Sequence, residues 1–267
     1  MGANDGEGGG AGGAGGAGGA GGAGGGGAGG VVASLRVAFL QHGPLEIPGV
    51  LGAQAKERGF DIHCIRADRL EDDLGDAEDF AAIVVMGSVQ STNDAQLAWV
   101  AREREFVASA VARHVPVLGV CFGGQLLAQV LGGRVVRSPE PEVGWATIHS
   151  DDPAMVAAGP WLVWHEEAVE LPPGVAVIAR NDVAIQAYVK DCHTGLQFHP
   201  EVTPELVHSW VDDAQKRGEV TPEQSRALQG GIDQFAGVSA ANAGALFEGF
   251  LLRAGLLSSC GDAGPER

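Results

Sequence analysis

Two short stretches of this chain carry residue types that could do covalent chemistry. In the first, Gly119-Val120-Cys121-Phe122-Gly123, a thiol stands with a glycine two positions to either side. An apolar run, Val117 to Val120, leads into it, and Gln125-Leu126-Leu127-Ala128 leads out with helical character. Cys121 is therefore expected on a sharp strand-to-helix elbow, the turn that presents a nucleophile, with sulfur in place of a hydroxyl. The positive end of a helix also favours thiolate over thiol. The same cysteine would equally suit a small buried apolar position. In the second stretch, Gln197-Phe198-His199-Pro200-Glu201, a strand end presents a histidine, a proline stiffens the turn, and a carboxylate follows two positions on. A cysteine nucleophile needs a base, a group that orients the base, and donors aimed at the developing oxyanion. His199 and Glu201 have the types for the first two, although a histidine at a strand end is also a common structural residue.

The elements that must position these residues read in α/β rhythm. Short apolar runs at Leu35–Leu40, Phe60–Ile65, Ala82–Met86 and Val117–Val120 have strand length. Between them lie a helix expected over Pro48–Arg58, ended by Gly59, and an amphipathic helix through Leu97, Val100, Phe106, Val107 and Val111, with charges at 102–105. The acidic run from Glu71 to Asp76 reads as a solvated loop or exposed helix end. Alternation of this kind predicts a mostly parallel central sheet with helices on both faces, and ligands at the carboxyl ends of its strands. Cys121, Gly87 and His42 all sit at such ends. From Arg134 to Gln197 the apolar segments shorten, and strands near Ala146–His149, Leu162–Trp164, Val175–Ala179, Ala184–Val189 and Leu196–Phe198 predict a small, mostly antiparallel added layer. Thr203-Pro204 has the form of a helix start, and a last helix is expected from about Ala240 to Leu252.

Composition sets outer limits. Nineteen of the first thirty residues are glycine, so residues 1–33 are expected to be a disordered Gly/Ala-rich tail, 34–257 the folded domain, and 258–267 a loose C-terminal tail. A net charge of −17 argues against nucleic acid or an anionic membrane as partner, since phosphate-binding surfaces need clustered Lys and Arg. No run of apolar residues long enough to span a bilayer stands out, and no basic-then-apolar leader opens the chain, which predicts a cytoplasmic protein. Cys64, Cys121, Cys192 and Cys260 form no CxxC pair, so reduced thiols rather than a metal site or disulfide framework are expected. Trp145, Trp161 and Trp164 read as packing residues.

Taken together, GVCFGGQ at 119–125 and FHPEVT at 198–203, about eighty residues apart, resemble the hallmarks of the class I (triad-type) glutamine amidotransferases. The likeness spans roughly residues 35–255. It is greatest to stand-alone proteins related to the glutaminase domain of GMP synthetase, through VVMGSVQSTND (84–94), PEVGW (141–145), VWHEE (163–167) and LPPG (171–174). The resemblance implies a flavodoxin-like class I glutaminase fold, with Cys121 as nucleophile, His199 as base and Glu201 as its orienter. It implies the backbone N–H of Phe122 as one oxyanion donor and the Gly87-Ser88 segment as the source of the other. Gln125 and His165 fall at positions implied to meet the substrate. Two departures stand out: Gly87-Ser88-Val89 where the family has Gly-Gly-Pro, and His165-Glu166-Glu167 where the related pattern is His-Gly-Asp. The implied reaction attacks a γ-glutamyl amide through a thioester, without metal or cofactor. Three functions follow as expectations: a glutaminase supplying ammonia to a separate synthetase or ligase partner, a stand-alone γ-glutamyl peptidase or hydrolase, and a non-catalytic binding or regulatory module on the same fold.

Overall fold

In the computed structural model, the structure describes residues 35–258 together with Gly2. The expected Gly/Ala-rich tail and the last residues, Cys260 among them, lie outside that range. Ten strands and five α-helices follow one another as β1 (Arg36–Gln41), α1 (Gly49–Glu57), β2 (Asp61–Arg66), β3 (Ala82–Val85), α2 (Ala98–Ala112), β4 (Val117–Val120), α3 (Phe122–Val130), β5 (Arg134–Ala146), β6 (His149–Ser150), β7 (Trp161–Glu170), β8 (Ala176–Arg180), β9 (Ile185–Lys190), β10 (His193–Leu196), α4 (Pro204–Arg217) and α5 (Pro222–Arg253). The main sheet has the order β2-β1-β3-β4-β10-β9-β8-β6. Pairing is parallel from β2 across to β10 and antiparallel beyond it.

Side chains of β1 show why both faces are covered. Val37 and Phe39 point into a core shared with Leu51 and Ala55 of α1 and with Leu246, Phe247 and Phe250 of α5. Their neighbours Ala38 and Leu40 point the other way, into a core with Trp99, Val100, Phe106 and Val107 of α2 and with Leu126 and Leu127 of α3. Alternate residues of a strand face opposite sides, so a strand apolar at every position must be buried twice over.

Five details differ from the sequence reading. Strands β6, β8, β9 and β10 extend the main sheet, and only β5 and β7 form a separate antiparallel pair. That pair is longer than read: β5 ends at Ala146 where a strand was expected to begin, and β7 runs on to Glu170. The last helix starts at Pro222 rather than near Ala240, because Thr221 and Gln224 close a reciprocal capping box. Helix α5 is also long and apolar enough to cross a membrane by length and composition, with a mean hydropathy of 1.3 over 18 residues, against the expectation of no such run. Its Leu246, Phe247, Phe250 and Leu251 are packed against the sheet. Finally, Glu103 is not on the solvated side of α2 with its charged neighbours but fully buried.

Candidate active site

Steric demands at the elbow begin with its glycines. A β-carbon on Gly119 would lie 2.3 Å from the Gly123 carbonyl oxygen, one on Gly123 2.1 Å from that of Val85, and one on Gly124 2.3 Å from that of Leu196. All three obstacles are backbone, so β4 and the first turn of α3 can meet only without side chains. The Tyr188 hydroxyl, buried beneath α3, donates to the Gly124 carbonyl and pins that turn to β9. Between them Cys121 adopts φ 49, ψ −104, a region that L-residues with side chains rarely enter. Its Sγ lies 3.8 Å from the Trp164 carbonyl oxygen and accepts from Gln197 Nε2 at 3.6 Å.

Strand β10 runs parallel beside β4, and the chain just past its end carries the histidine into the same cleft. His199 Nδ1 donates to Glu201 Oε1 at 2.8 Å, and both side chains are almost fully buried. Burial alone would push the imidazolium down, but the Glu201 carboxylate and the Cys121 sulfur outweigh it and hold His199 well above its ordinary pKa. Trp210 of α4 packs edge-on to the ring at 5.0 Å. The Glu201 carbonyl in turn accepts the Val50 N–H at the start of α1. Gly87 lies between His199 and Cys121: a β-carbon there would sit 3.1 Å from His199 Cε1 and 3.8 Å from Cys121 Cβ.

The loop after β3 answers the question its sequence raised. Neither Gly87 nor Ser88 has a positive φ, so the serine needs no backbone strain to stand there. Gly87 answers to close approach rather than to conformation. Ser88 Oγ accepts the Gln90 N–H at 3.2 Å and donates to Gln90 Oε1 at 2.6 Å. This local hydroxyl turn supplies some of the stiffness that proline would give at position 89. Among the described residues, the Ser88 N–H bonds no backbone or side-chain acceptor, and that of Phe122, the first of α3, has no intrahelical acceptor.

The two expected substrate contacts lie close by, both engaged with protein groups. Gln125 Nε2 donates to the Glu167 carbonyl at 3.2 Å and to Gln197 Oε1 at 3.3 Å, tying α3 to β7 and to the turn after β10. His165 Nδ1 reaches the Glu167 carbonyl at 3.0 Å. Its Nε2 is 2.9 Å from Glu142 Oε2. Burial pushes the Glu142 carboxyl up, yet His165, Asn181 and Gln186 together bring it below the usual carboxylate range. Three further residues belong to this region: Gln197, which touches the sulfur, and Glu103, neither given a role by the sequence, and His42, which was placed at a strand end and lies buried with Glu103 behind Gly87. Of the other described cysteines, Cys64 is exposed on β2 and Cys192 half-buried between β9 and β10.

A thiol on a strained elbow, an imidazole oriented by a carboxylate and two backbone N–H groups beside them constitute the parts needed for acyl transfer. Comparison with known proteins identifies the family. The family model described as Glutamine amidotransferase class-I matches residues 49–213. The GMP synthase (glutamine-hydrolyzing) of Aeropyrum pernix is 34% identical over 175 residues, which is 61% of this chain and 33% of that protein. Its counterpart from Synechocystis sp. is 40% identical over 104 residues, 36% of this chain and 18% of that protein. The chain thus spans a third or less of the length of these curated relatives. A glutamine amido transferase from Methylobacillus flagellatus superposes with a TM-score of 0.76 at 27% identity, covering 88% of this chain and 100% of that one. A glutamine amidotransferase from Thermotoga maritima shares the fold, with a TM-score of 0.71 at 22% identity over 82% of this chain and 98% of that one.

Proposed function

Since the chain belongs to the class I glutamine amidotransferase family, we propose that it hydrolyses the γ-amide of glutamine through Cys121, His199 and Glu201 and supplies the ammonia to a separate synthetase. The observation that carries this reading is the 2.8 Å bond from His199 to Glu201 beside a cysteine held at positive φ. With His199 protonated next to the sulfur, the thiolate of Cys121 attacks the γ-carbonyl carbon. The carbonyl oxygen becomes an oxyanion, met by the N–H groups of Phe122 and Ser88. His199 then gives its proton to the amide nitrogen, the C–N bond breaks, and ammonia leaves a γ-glutamyl thioester on Cys121. Water follows, His199 removing its proton as the oxygen attacks the thioester carbon, and glutamate departs with the thiolate restored. Glu201 fixes Nδ1 as the donor to itself and so keeps Nε2 for these transfers. Gln125 and His165, which both bond the Glu167 carbonyl, are assigned to the substrate's remaining groups.

Ammonia release from glutamine, measured for the wild type and Cys121→Ala with and without candidate synthetases, tests the proposal. Release by the wild type alone, lost in the variant, is the expected result. Equal silence of both with every partner would refute it. Turnover of γ-glutamyl dipeptides without a partner, in place of glutamine, would move the assignment to a stand-alone γ-glutamyl hydrolase.

A further inference from the structure

Behind the Gly87-Ser88 peptide lies an ionisable pair in which every polar contact of the imidazole is specified. His42 Nδ1 lies 2.7 Å from the Gly87 carbonyl oxygen, and its Nε2 lies 3.0 Å from both carboxylate oxygens of Glu103. Both side chains are wholly buried. A carbonyl oxygen can only accept, so Nδ1 carries hydrogen and donates to Gly87, while burial pushes the imidazolium down and the Glu103 carboxyl beside Nε2 more than offsets it, holding His42 above its ordinary pKa. The ring is clamped between Trp99, stacked at 5.2 Å, and Phe122, at 4.7 Å. Burying two ionisable side chains is costly unless their geometry and hydrogen bonds compensate, and apolar residues of similar volume would fill this site more cheaply.

We infer that His42, backed by Glu103, is a positioning residue for the oxyanion hole: by holding the Gly87 carbonyl it fixes the direction of the Ser88 N–H. The 87–88 peptide is trans, so its C=O and N–H point to opposite sides. With the carbonyl bound to His42 on the α2 side, the Ser88 N–H is turned to the side away from His42, where Cys121 and His199 flank Gly87. A rotated peptide would present its carbonyl to the developing oxyanion instead and repel it. This side-chain donor takes over, from behind, the restraint a proline at 89 would impose from the front, and the same Phe122 that packs on His42 contributes the second N–H. The inference deepens the acyl-transfer reading above and concerns the hole, whatever acyl group it serves.

A test must separate the hole from the nucleophile. Alkylation of Cys121 by iodoacetamide displaces iodide at a saturated carbon and uses no oxyanion, whereas acylation by p-nitrophenyl acetate does. His42→Ala would strand a buried carboxylate, so the variant used is His42→Phe with Glu103→Met, which removes both ionisable groups and keeps the packing against Trp99 and Phe122. Modification of Cys121 is followed by mass spectrometry. The double variant is expected to acylate about 10- to 100-fold more slowly, approaching the loss of one oxyanion donor, while alkylation stays within about threefold of wild type. Glu103→Gln should acylate within about threefold of wild type, because its amide can donate to Nε2 and leave the Nδ1–H on Gly87. Equal slowing of both reactions, undiminished acylation of the double variant, a Glu103→Gln loss as large as its own, or a wild type that does not acylate at Cys121 would each overturn the inference. Ester acylation without glutamine hydrolysis would sink the proposed function and leave this inference standing.

Discussion

Replacing Gly87 by alanine isolates the role of a single missing methyl group. Backbone conformation is not at issue, since φ there is not positive. The new β-carbon would sit 3.1 Å from His199 Cε1, where ordinary van der Waals contact begins near 3.4 Å, and 3.7 Å from Nδ1. The imidazole must therefore retreat by a few tenths of an ångström. It is poorly placed to do so, with Glu201 bonded at 2.8 Å and Trp210 packed edge-on. Overpacking of this kind costs about 1 kcal/mol of stability, at the low end of the range for an added methyl. A misplacement of about 1 Å costs roughly 100-fold in rate, so a few tenths should cost about 5- to 10-fold in kcat. Glutamine hydrolysis and urea unfolding, measured on the same preparation, give both numbers. Unchanged kcat would refute the claim that Gly87 is glycine because His199 approaches it. A loss of stability well beyond that of an added methyl would instead point to a backbone restraint that the dihedrals do not show.

Three further outcomes follow from the same geometry. Cys121→Gly should be more stable than Cys121→Ala by about 1 kcal/mol, because glycine relieves the positive φ; the usual order, alanine above glycine, in denaturant unfolding would contradict a strained elbow. His199 is raised in the folded state, so its contribution to stability is complete below its unfolded pKa of about 6.5 and disappears as pH rises through the folded value. The stability difference between wild type and Glu201→Gln should therefore shrink from mildly acidic to alkaline pH, and a difference independent of pH would count against the pairing. Thr221→Ala should lower the unfolding free energy by about 1 kcal/mol through loss of the cap on α5, an effect absent from thermal melts if that helix began near Ala240.

What could be read from sequence is local in origin. The elbow is written in consecutive residues, because Gly119, Gly123 and Gly124 answer to backbone obstacles within one strand-turn-helix unit and the two strands that flank it. His199 and Glu201 are likewise two positions apart. Glu103 was hidden by its neighbours: in Arg102-Glu103-Arg104-Glu105 it reads as one of a solvated group. Spacing carries the missing signal, for Trp99, Val100, Glu103, Phe106, Val107 and Ala110 form one stripe along α2, and a carboxylate within such a stripe requires a buried partner. That partner, His42, is 61 residues away, and no local pattern could supply it. The early part of α5 was obscured because Gly230, Gly231 and Gly237 resemble loop residues. Packing explains only one of them: a β-carbon on Gly231 would strike the Trp145 ring at 2.2 Å. The capping box at Thr221, legible in Thr-Pro-Glu-Gln, is what starts the helix ahead of them.

The strands around the cleft belong to two sheets. Cys121 and His199 stand past the ends of neighbouring strands of the large sheet, whereas Trp164, His165 and Glu167 come from the small β5–β7 pair, joined to the region of His199 by the backbone bridge between Leu162 and His199 and by Gln125. Each group of residues is thus carried by its own hydrogen-bonded ladder, so a shift of the β5–β7 pair against the large sheet would move His165 and Glu167 relative to Cys121 without breaking any strand pairing that holds Cys121 and His199.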